Sequence, residues 1–296
     1  NHVYVTPPNA VLAIEGGALR VLTPPLGARP EMPIDAFFRS LAATRGVNAM
    51  GVVMSGTGTD GTFGLSAIKA AGGITFVQEP TTAKFDGMPR SARESGAADF
   101  CLAPEAIADE ILRVSSHSYL RRVMPLPQFQ EHLGKLGGLL KGKFGIDLSH
   151  YKPNTIERRI QRRMAVHRIE RIDQYVRLCQ SDPNELVALH KDLLINVTSF
   201  FRDTEPFELL KTGIIPRILE GKKDSDTLRV WVPGCSSGEE AYSIAMCMLE
   251  VLEDQGRNLS VQIFGTDLDP DAVQQSRRGA YPENIVADVS ADRLRR

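Results

Sequence analysis

Apolar positions follow two different periods along this chain, and the changes of period divide it. HVYVTPP (residues 2–8) reads as a strand, and LAIEGGALRVL (12–22) as a hairpin around Gly16-Gly17. PIDAFFRSLAATRG reads as a helix, with Pro33 near its start and Gly46 at its end. Then come a strand, AMGVVM, a glycine-rich turn, SGTGTDGTFG, a helix, LSAIKAAGG, and a strand, ITFVQE. Strand, turn, helix, strand is a βαβ unit and predicts a parallel sheet covered by helices. APEAIADEILRVS closes the region with an amphipathic helix. SSHSYLRRVMPLPQFQ, with two prolines and little periodicity, reads as a linker.

From Leu133 to Glu220 the period becomes purely helical, in HLGKLGGLLKGKFG, NTIERRIQRRMAVH, IDQYVRLCQ and PNELVALHKDLLI, which predicts a small bundle without strands. After GKKDSD the mixed pattern returns. Strand LRVWVP leads through turn GCSSG into helix EEAYSIAMCMLEVLED, followed by strand SVQIFGTD and helix DAVQQSRRGA. The expected fold class is α/β: a partial doubly wound parallel-sheet domain, a small all-α subdomain, and the first part of a Rossmann-like domain. The expected boundaries are 1–114, a linker at 115–127, helices over 128–220, and 221–296.

Composition removes several classes. The chain has 296 residues, 42% hydrophobic and 24% charged, with a formal net charge of −1, so bulk charge gives no case for nucleic acid or a membrane surface. No apolar run is long enough to span a bilayer and no secretory pattern is present. Cys101, Cys179, Cys235 and Cys247 are scattered without metal-ligand spacing, which reads as free thiols in a reducing cytoplasm and no metal site. Both ends read as cut within an element, as expected of a piece of a longer protein.

Gly234-Cys235-Ser236-Ser237-Gly238 spells G-x-S-x-G, which a hydrolase nucleophile elbow, a nucleotide-type cofactor turn and a plain strand-to-helix turn all share. The elbow needs a downstream histidine, and none follows His190. The cofactor reading asks for a carboxylate at the end of the next strand, and Asp267 stands there. Glu239 and Glu240 at the helix start would repel a pyrophosphate but favour a cationic ligand, such as the sulfonium and amino group of S-adenosylmethionine. Capping of the helix is the bland alternative.

Taken together, NVTSFFRD, GCSSGEEAYSIAM and GTDLD resemble the chemotaxis-receptor methyltransferases, S-adenosylmethionine-dependent protein-glutamate O-methyltransferases, from about Gln128 onward. The resemblance implies that Asn196, Thr198 and Arg202 line the cofactor and substrate-carboxylate site. It further implies that Glu239 binds the methionine part and Asp267 the ribose. It also implies that the basic stretch Arg158-Arg159-x-x-Arg162-Arg163 faces the acidic methylation helices of a receptor; read alone, that stretch is a solvated helix face. Ionised glutamate is already a nucleophile near neutral pH, so positioning would suffice, and a forked guanidinium such as Arg202 suits the acceptor carboxylate.

SGTGTDG, AGGITFVQEP and KFDGMPRSA resemble the C-terminal part of the receptor methylesterase domain, a doubly wound Ser-His-Asp hydrolase of glutamate methyl esters that also deamidates glutamine. By motif, Asp60 is implied as the triad carboxylate, with Met54 near the oxyanion region and the Gly87-Met88-Pro89 loop bordering the site; read alone, Asp60 caps a helix. The matching serine and histidine are not in the chain, His2 reads as incidental, and the methyltransferase-type part holds two strands without the later adenine and substrate loops, so neither reaction is expected of this stretch alone. The order of segments resembles fused methylesterase–methyltransferase proteins of bacterial sensing. Expected partners are a methyl-accepting receptor or similar acidic helical protein, with kinase or response-regulator modules beside it. The rival is a scaffold that binds partners or S-adenosylmethionine without turnover.

Overall fold

The computed structural model describes residues 2–22, 32–120, 129–194, 198–282, 285–286 and 288–295. The chain forms two compact units, Asn1–Ile195 and Asn196–Arg296.

The first unit opens on an antiparallel hairpin of β1 (Val11–Glu15) and β2 (Ala18–Leu22). Gly16 and Gly17 turn it with φ of 57° and 82°, the double positive φ of a tight hairpin turn. The strand expected at 2–8 does not form: Val3, Tyr4 and Val5 lie exposed, with no neighbouring strand among the described residues to bond. Extended residues become a strand only where a ladder is available. Helix α1 (Pro33–Arg45) follows, then β3 (Met50–Val53), α2 (Thr62–Ala70), β4 (Ile74–Gln78), α3 (Gly87–Glu94), β5 (Phe100–Leu102) and α4 (Pro104–Ser115). The sheet is parallel, in order β3-β4-β5, with Val52, Phe76 and Phe100 in register. All five residues of β4 are buried, as for a central strand covered on both faces. Leu65 and Ile68 of α2 are among the fully buried side chains of this core. The segment around Gly87-Met88-Pro89, expected as a loop, begins α3, with Pro89 inside its first turn where its missing N–H costs nothing.

Four helices complete this unit: α5 (Phe129–Phe144), α6 (Pro153–Val166), α7 (Ile172–Ser181) and α8 (Pro183–Leu193). Their apolar faces meet around Leu136, Leu140, Ile156, Ile160, Tyr175 and Leu189. As expected, this stretch contains no strand among the described residues.

The arginines of α6 overturn an expectation. Arg159, Arg162 and Arg163 are buried, neither solvated nor presented to an acidic partner. Arg163 donates through Nε to Glu185 Oε1 at 3.0 Å, and Tyr175 Oη donates to the same oxygen at 2.6 Å. Arg162 pairs with Asp99 and Asp192. Spacing alone could not show this, because every carboxylate partner lies at least 22 residues away in the chain. A guanidinium buries readily where carboxylates and carbonyls receive it.

In the second unit, α9 (Thr204–Leu209) runs through a π-helical turn at Leu210–Ile214 into α10 (Ile215–Leu219). Then come β6 (Thr227–Pro233), α11 (Glu239–Asp254), β7 (Ser260–Thr266), α12 (Pro270–Arg278) and α13 (Ala291–Arg295). Strands β6 and β7 pair in parallel, with Trp231 opposite Phe264. Ile215 and Leu219 join Phe200, Phe201, Cys247, Met248 and Val251 in this unit's core. The helices of 204–219 thus pack with the α/β segment, although their period matches that of the helices before them. A 3.6-residue period says that a face is buried and leaves open against what.

Candidate functional site

The turn between β6 and α11 reverses the chain through three residues with positive φ: Gly234 at 70°, Ser236 at 50° and Gly238 at 103°. Gly234 and Cys235 donate their N–H groups to the carbonyl of Thr266 at 2.7 and 3.0 Å, which fastens the turn to the end of β7. A Cβ at Gly238 would come within 2.9 Å of Tyr281 Oη, so that position tolerates only glycine. Asp267 then grips the turn. One carboxylate oxygen accepts from Ser236 N and the other from Asp269 N, each at 2.8 Å. A carboxylate has about four acceptor directions, so two amide bonds leave capacity for ligand hydroxyls.

Glu239, the first residue of α11, is buried. Its Oε2 accepts from Ser237 Oγ at 2.7 Å, and no ion pair reaches it among the described residues. Burial holds its carboxyl above the ordinary glutamate range, with the Ser237 hydroxyl working in the opposite direction. A helix N-terminus stabilises negative charge, yet a buried carboxylate with hydroxyl and amide donors alone has room for a cation. Cys235 is also buried, and burial together with nearby Asp267 raises its thiol pKa, so it is a packing residue and no nucleophile. Ser236 meets the shape of an elbow, but its Oγ is buried without a partner and no histidine adjoins it among the described residues, which removes the hydrolase reading.

The stretch before α9 leans on the same helix. Phe201 N donates to Ser243 Oγ at 3.0 Å, and Ser243 Oγ donates to the Glu239 carbonyl at 2.6 Å, one turn back. Phe201, at φ 49°, also lies under the guanidinium of Arg293, 3.9 Å from its ring centroid. Phe200 meets Tyr281 edge-on at 4.9 Å, and Tyr281 Oη donates to the Ser237 carbonyl at 2.7 Å. The structure therefore ties Phe200 and Phe201, Glu239 and Asp267 to a single turn. Thr198 is partly buried, and Asn196 lies outside the described residues. Arg202 is exposed, with Nε 3.9 Å from the Asp203 carboxylate. Sequence reasoning passed over Ser243 and Tyr281. Ser243 carried a signal, since a serine four residues beyond Glu239 on a helix returns to the same face.

In the first unit the glycine turn after β3 is built differently. Asp60 caps no part of α2; its Oδ2 and Oδ1 accept from Ile34 N at 3.1 Å and Asp35 N at 2.9 Å, the opening amides of α1. Buried Asp35 returns the favour by accepting from Gly64 N at 2.6 Å, in the first turn of α2. Two helix starts are thus cross-capped. Met54 is 45% exposed beside this turn. Gly56 N donates to the Phe85 carbonyl and Met88 N to the Gly56 carbonyl, both at 2.9 Å, so the start of α3 does border the turn. No group of His, Cys, Asp and Glu suited to a metal ion occurs among the described residues.

Comparison with known proteins matches these segments separately. Residues 1–111 match the model of the CheB methylesterase, 131–194 that of the all-alpha domain of the CheR methyltransferase, and 196–296 that of its SAM binding domain. The chain joins a methylesterase-type segment to a methyltransferase-type one. The methylesterase-type match holds the N-terminal end of the chain and precedes both others. An uncharacterized 104.1 kDa protein of Rhodobacter capsulatus is 37% identical over 99% of this chain and 33% of its own length. A chemotaxis protein methyltransferase of Borreliella burgdorferi is 31% identical over 54% of this chain and 58% of its own. A protein-glutamate methylesterase/protein-glutamine glutaminase of Anaeromyxobacter dehalogenans is 41% identical over 37% of this chain and 32% of its own. The chain therefore spans between a third and three-fifths of these relatives. Among the described residues no helix is long and apolar enough to cross a membrane.

Proposed function

We propose that the methyltransferase-type segment binds S-adenosylmethionine at the 234–239 turn and methylates glutamate side chains of a chemotaxis-type receptor or similar acidic helical protein. The methylesterase-type segment contributes part of a domain for the reverse hydrolysis. The observation that carries the reading is buried Glu239, without an ion-pair partner among the described residues, beside Asp267 on one glycine turn. In this reading Glu239 meets the cationic methionine end and Asp267 the ribose hydroxyls. Thr198 and Asn196 belong to the same site by motif. Arg202 swings from its exposed position to hold both oxygens of the acceptor carboxylate, and in-line displacement at the sulfonium methyl then needs no general base. Asp60 is the carboxylate that orients a histidine in the esterase reaction, with Met54 near the oxyanion region. Kinase or response-regulator modules complete the setting, in the cytoplasm.

Calorimetry with S-adenosylhomocysteine tests the cofactor half. Binding is expected in the wild type and lost in Asp267→Ala, and a variant that binds as well as the wild type removes the turn from the site. Burial of the α6 arginines favours a second reading, a signalling scaffold that binds cofactor or partners without turnover, because the face proposed for an acidic receptor is already filled. Methyl transfer to receptor glutamates by the full-length protein would exclude it.

A further inference from the structure

Helix α6 meets the esterase-type segment through an unusual concentration of charge. Arg162 has no exposed surface. Its Nε donates to the Gly73 carbonyl at 3.0 Å, and its two terminal nitrogens reach Asp99, just before β5, and Asp192 of α8. Asp99 is itself held by Thr75 N and Thr75 Oγ1, both at 2.9 Å, so the bridge is anchored in β4. Arg159 donates to the carbonyls of Lys69 and Ala70, at 3.1 and 2.6 Å, at the C-terminal end of α2 where the helix dipole favours a cation. Just past α6, Arg168 donates through Nε to Glu110 Oε1 of α4 at 2.9 Å. The segment after α4 adds Tyr119 Oη to the Gly72 carbonyl at 2.7 Å, and His117 Nε2 against the Ile169 carbonyl at 3.0 Å.

We propose that the arginine face of α6 is an intramolecular docking surface whose partner is the esterase-type segment, and that an acidic helical protein reaches these arginines only when the two separate. Three features support this. The acceptors come from the end of α2, the turn before β4, the approach to β5 and α4, so the receiving face draws on four separate parts of the esterase-type segment. It lies at the ends of α2 and β4 remote from the Asp60 turn, because Gly73 precedes β4 while Asp60 follows β3 in the same parallel sheet. The Arg162–Asp99 half of the bridge has no exposed surface on either side chain and joins the two segments, so it is made only when they are closed together. The proposal holds whether or not either reaction runs in this chain.

A protease recognition sequence placed within residues 121–128 of the full chain allows the connection to be cut. The wild-type halves are expected to elute together from a sizing column after cleavage. Arg168→Glu sets a second carboxylate against buried Glu110 and should weaken their association by roughly tenfold or more, and adding Glu110→Arg should restore it. Halves that part on cleavage of the wild type overturn the proposal, as does an Arg168→Glu chain whose halves hold as firmly as before. On the uncut chain, a glutamate–alanine helical peptide should bind Arg168→Glu about tenfold tighter than wild type, against the trend expected from its lost positive charge. Equal or weaker binding would mean that the arginines were accessible throughout. If Arg168→Glu fails to fold, co-elution of the cut wild type decides.

Discussion

Two charge clusters in this chain obey opposite rules. At the α6 junction of the first unit, Arg162 meets Asp99 and Asp192, Lys69 lies 3.7 and 3.9 Å from the same two carboxylates, and Arg163 meets Glu185. At the turn of the second unit, Glu239 is buried against a hydroxyl and its own helix start, and Asp267 faces backbone amides, with no cation paired to either among the described residues. The pKa directions follow. Glu185 is buried, but hydrogen bonds from His167 and Arg163 outweigh that burial and hold it down at about 2, whereas burial wins at Glu239 and raises it. A cluster whose charges cancel holds architecture together, and one left with surplus charge of a single sign is kept for a ligand of the other sign.

The widest break in the comparison should come from Arg162→Met, which leaves two buried carboxylates with only Lys69, 3.7 and 3.9 Å away, to share. A loss of about 3–5 kcal/mol in urea unfolding is expected, typical of breaking a buried ion pair by removing one partner. Cofactor binding by the folded fraction should be unaltered. If Asp267→Ala proved equally costly to stability, the two clusters would not differ in kind.

Gly238→Ala comes next. Its φ of 103° and the nearness of Tyr281 Oη leave no relaxed place for a methyl group, so a loss of about 1–3 kcal/mol is expected together with weaker S-adenosylhomocysteine binding. Calorimetry and a thermal melt on the same sample separate the two effects. Retained affinity in a destabilised variant would show that the turn's shape matters to folding alone.

Glu239→Gln probes the surplus charge through pH. Because folding raises the Glu239 pKa, the carboxyl favours the folded state only while protonated, and that contribution is lost as pH rises from the ordinary glutamate value of 4.5 through the raised one. Wild type should therefore lose stability over that window, and Glu239→Gln should flatten the slope. A cationic ligand reverses the preference, so S-adenosylmethionine binding near the raised value should release protons, detectable by calorimetry in buffers of different ionisation enthalpy. Proton uptake would contradict the assigned role.

How much of this could be read in the sequence depends on the range of each interaction. The βαβ order and the Gly16-Gly17 hairpin are dictated by neighbours within about one element, and a period or a glycine reveals them; the βαβ order in turn brings Asp267, at the end of β7, to the turn that carries Glu239. The strand expected at 2–8 failed because β-branched and aromatic content signals extended backbone but cannot supply a partner. Asp60 is a sharper case. Its residue type suggested a cap, and it is one, but for α1, whose amides lie 25 and 26 residues back in the chain. The α6 arginines went furthest astray, because a stripe of charge on a helix looks identical whether water or Asp99 receives it. Long-range complementarity leaves no periodic trace.

Glu250 falls between the two clusters and should give the smallest effect. It is partly buried and accepts from Arg293 Nε at 2.7 Å and Lys211 Nζ at 2.8 Å, and these bonds, Arg293 first, hold its pKa down at about 2. Here the sign is the reverse of that at Glu239. The ionised form favours folding, the contribution is complete above the ordinary value of 4.5, and it fades as pH falls toward about 2. Glu250→Gln should cost about 1–2 kcal/mol at neutral pH, the usual range for charge-assisted bonds near a surface, and its stability curve should meet the wild type's in acid. The same variant frees Arg293, whose guanidinium lies over Phe201, so it also tests whether this bracing matters to the turn. If cofactor affinity drops while stability barely changes, Glu250 and Arg293 belong to the support of the site; if stability alone falls, they repeat on a small scale what the α6 junction does in full.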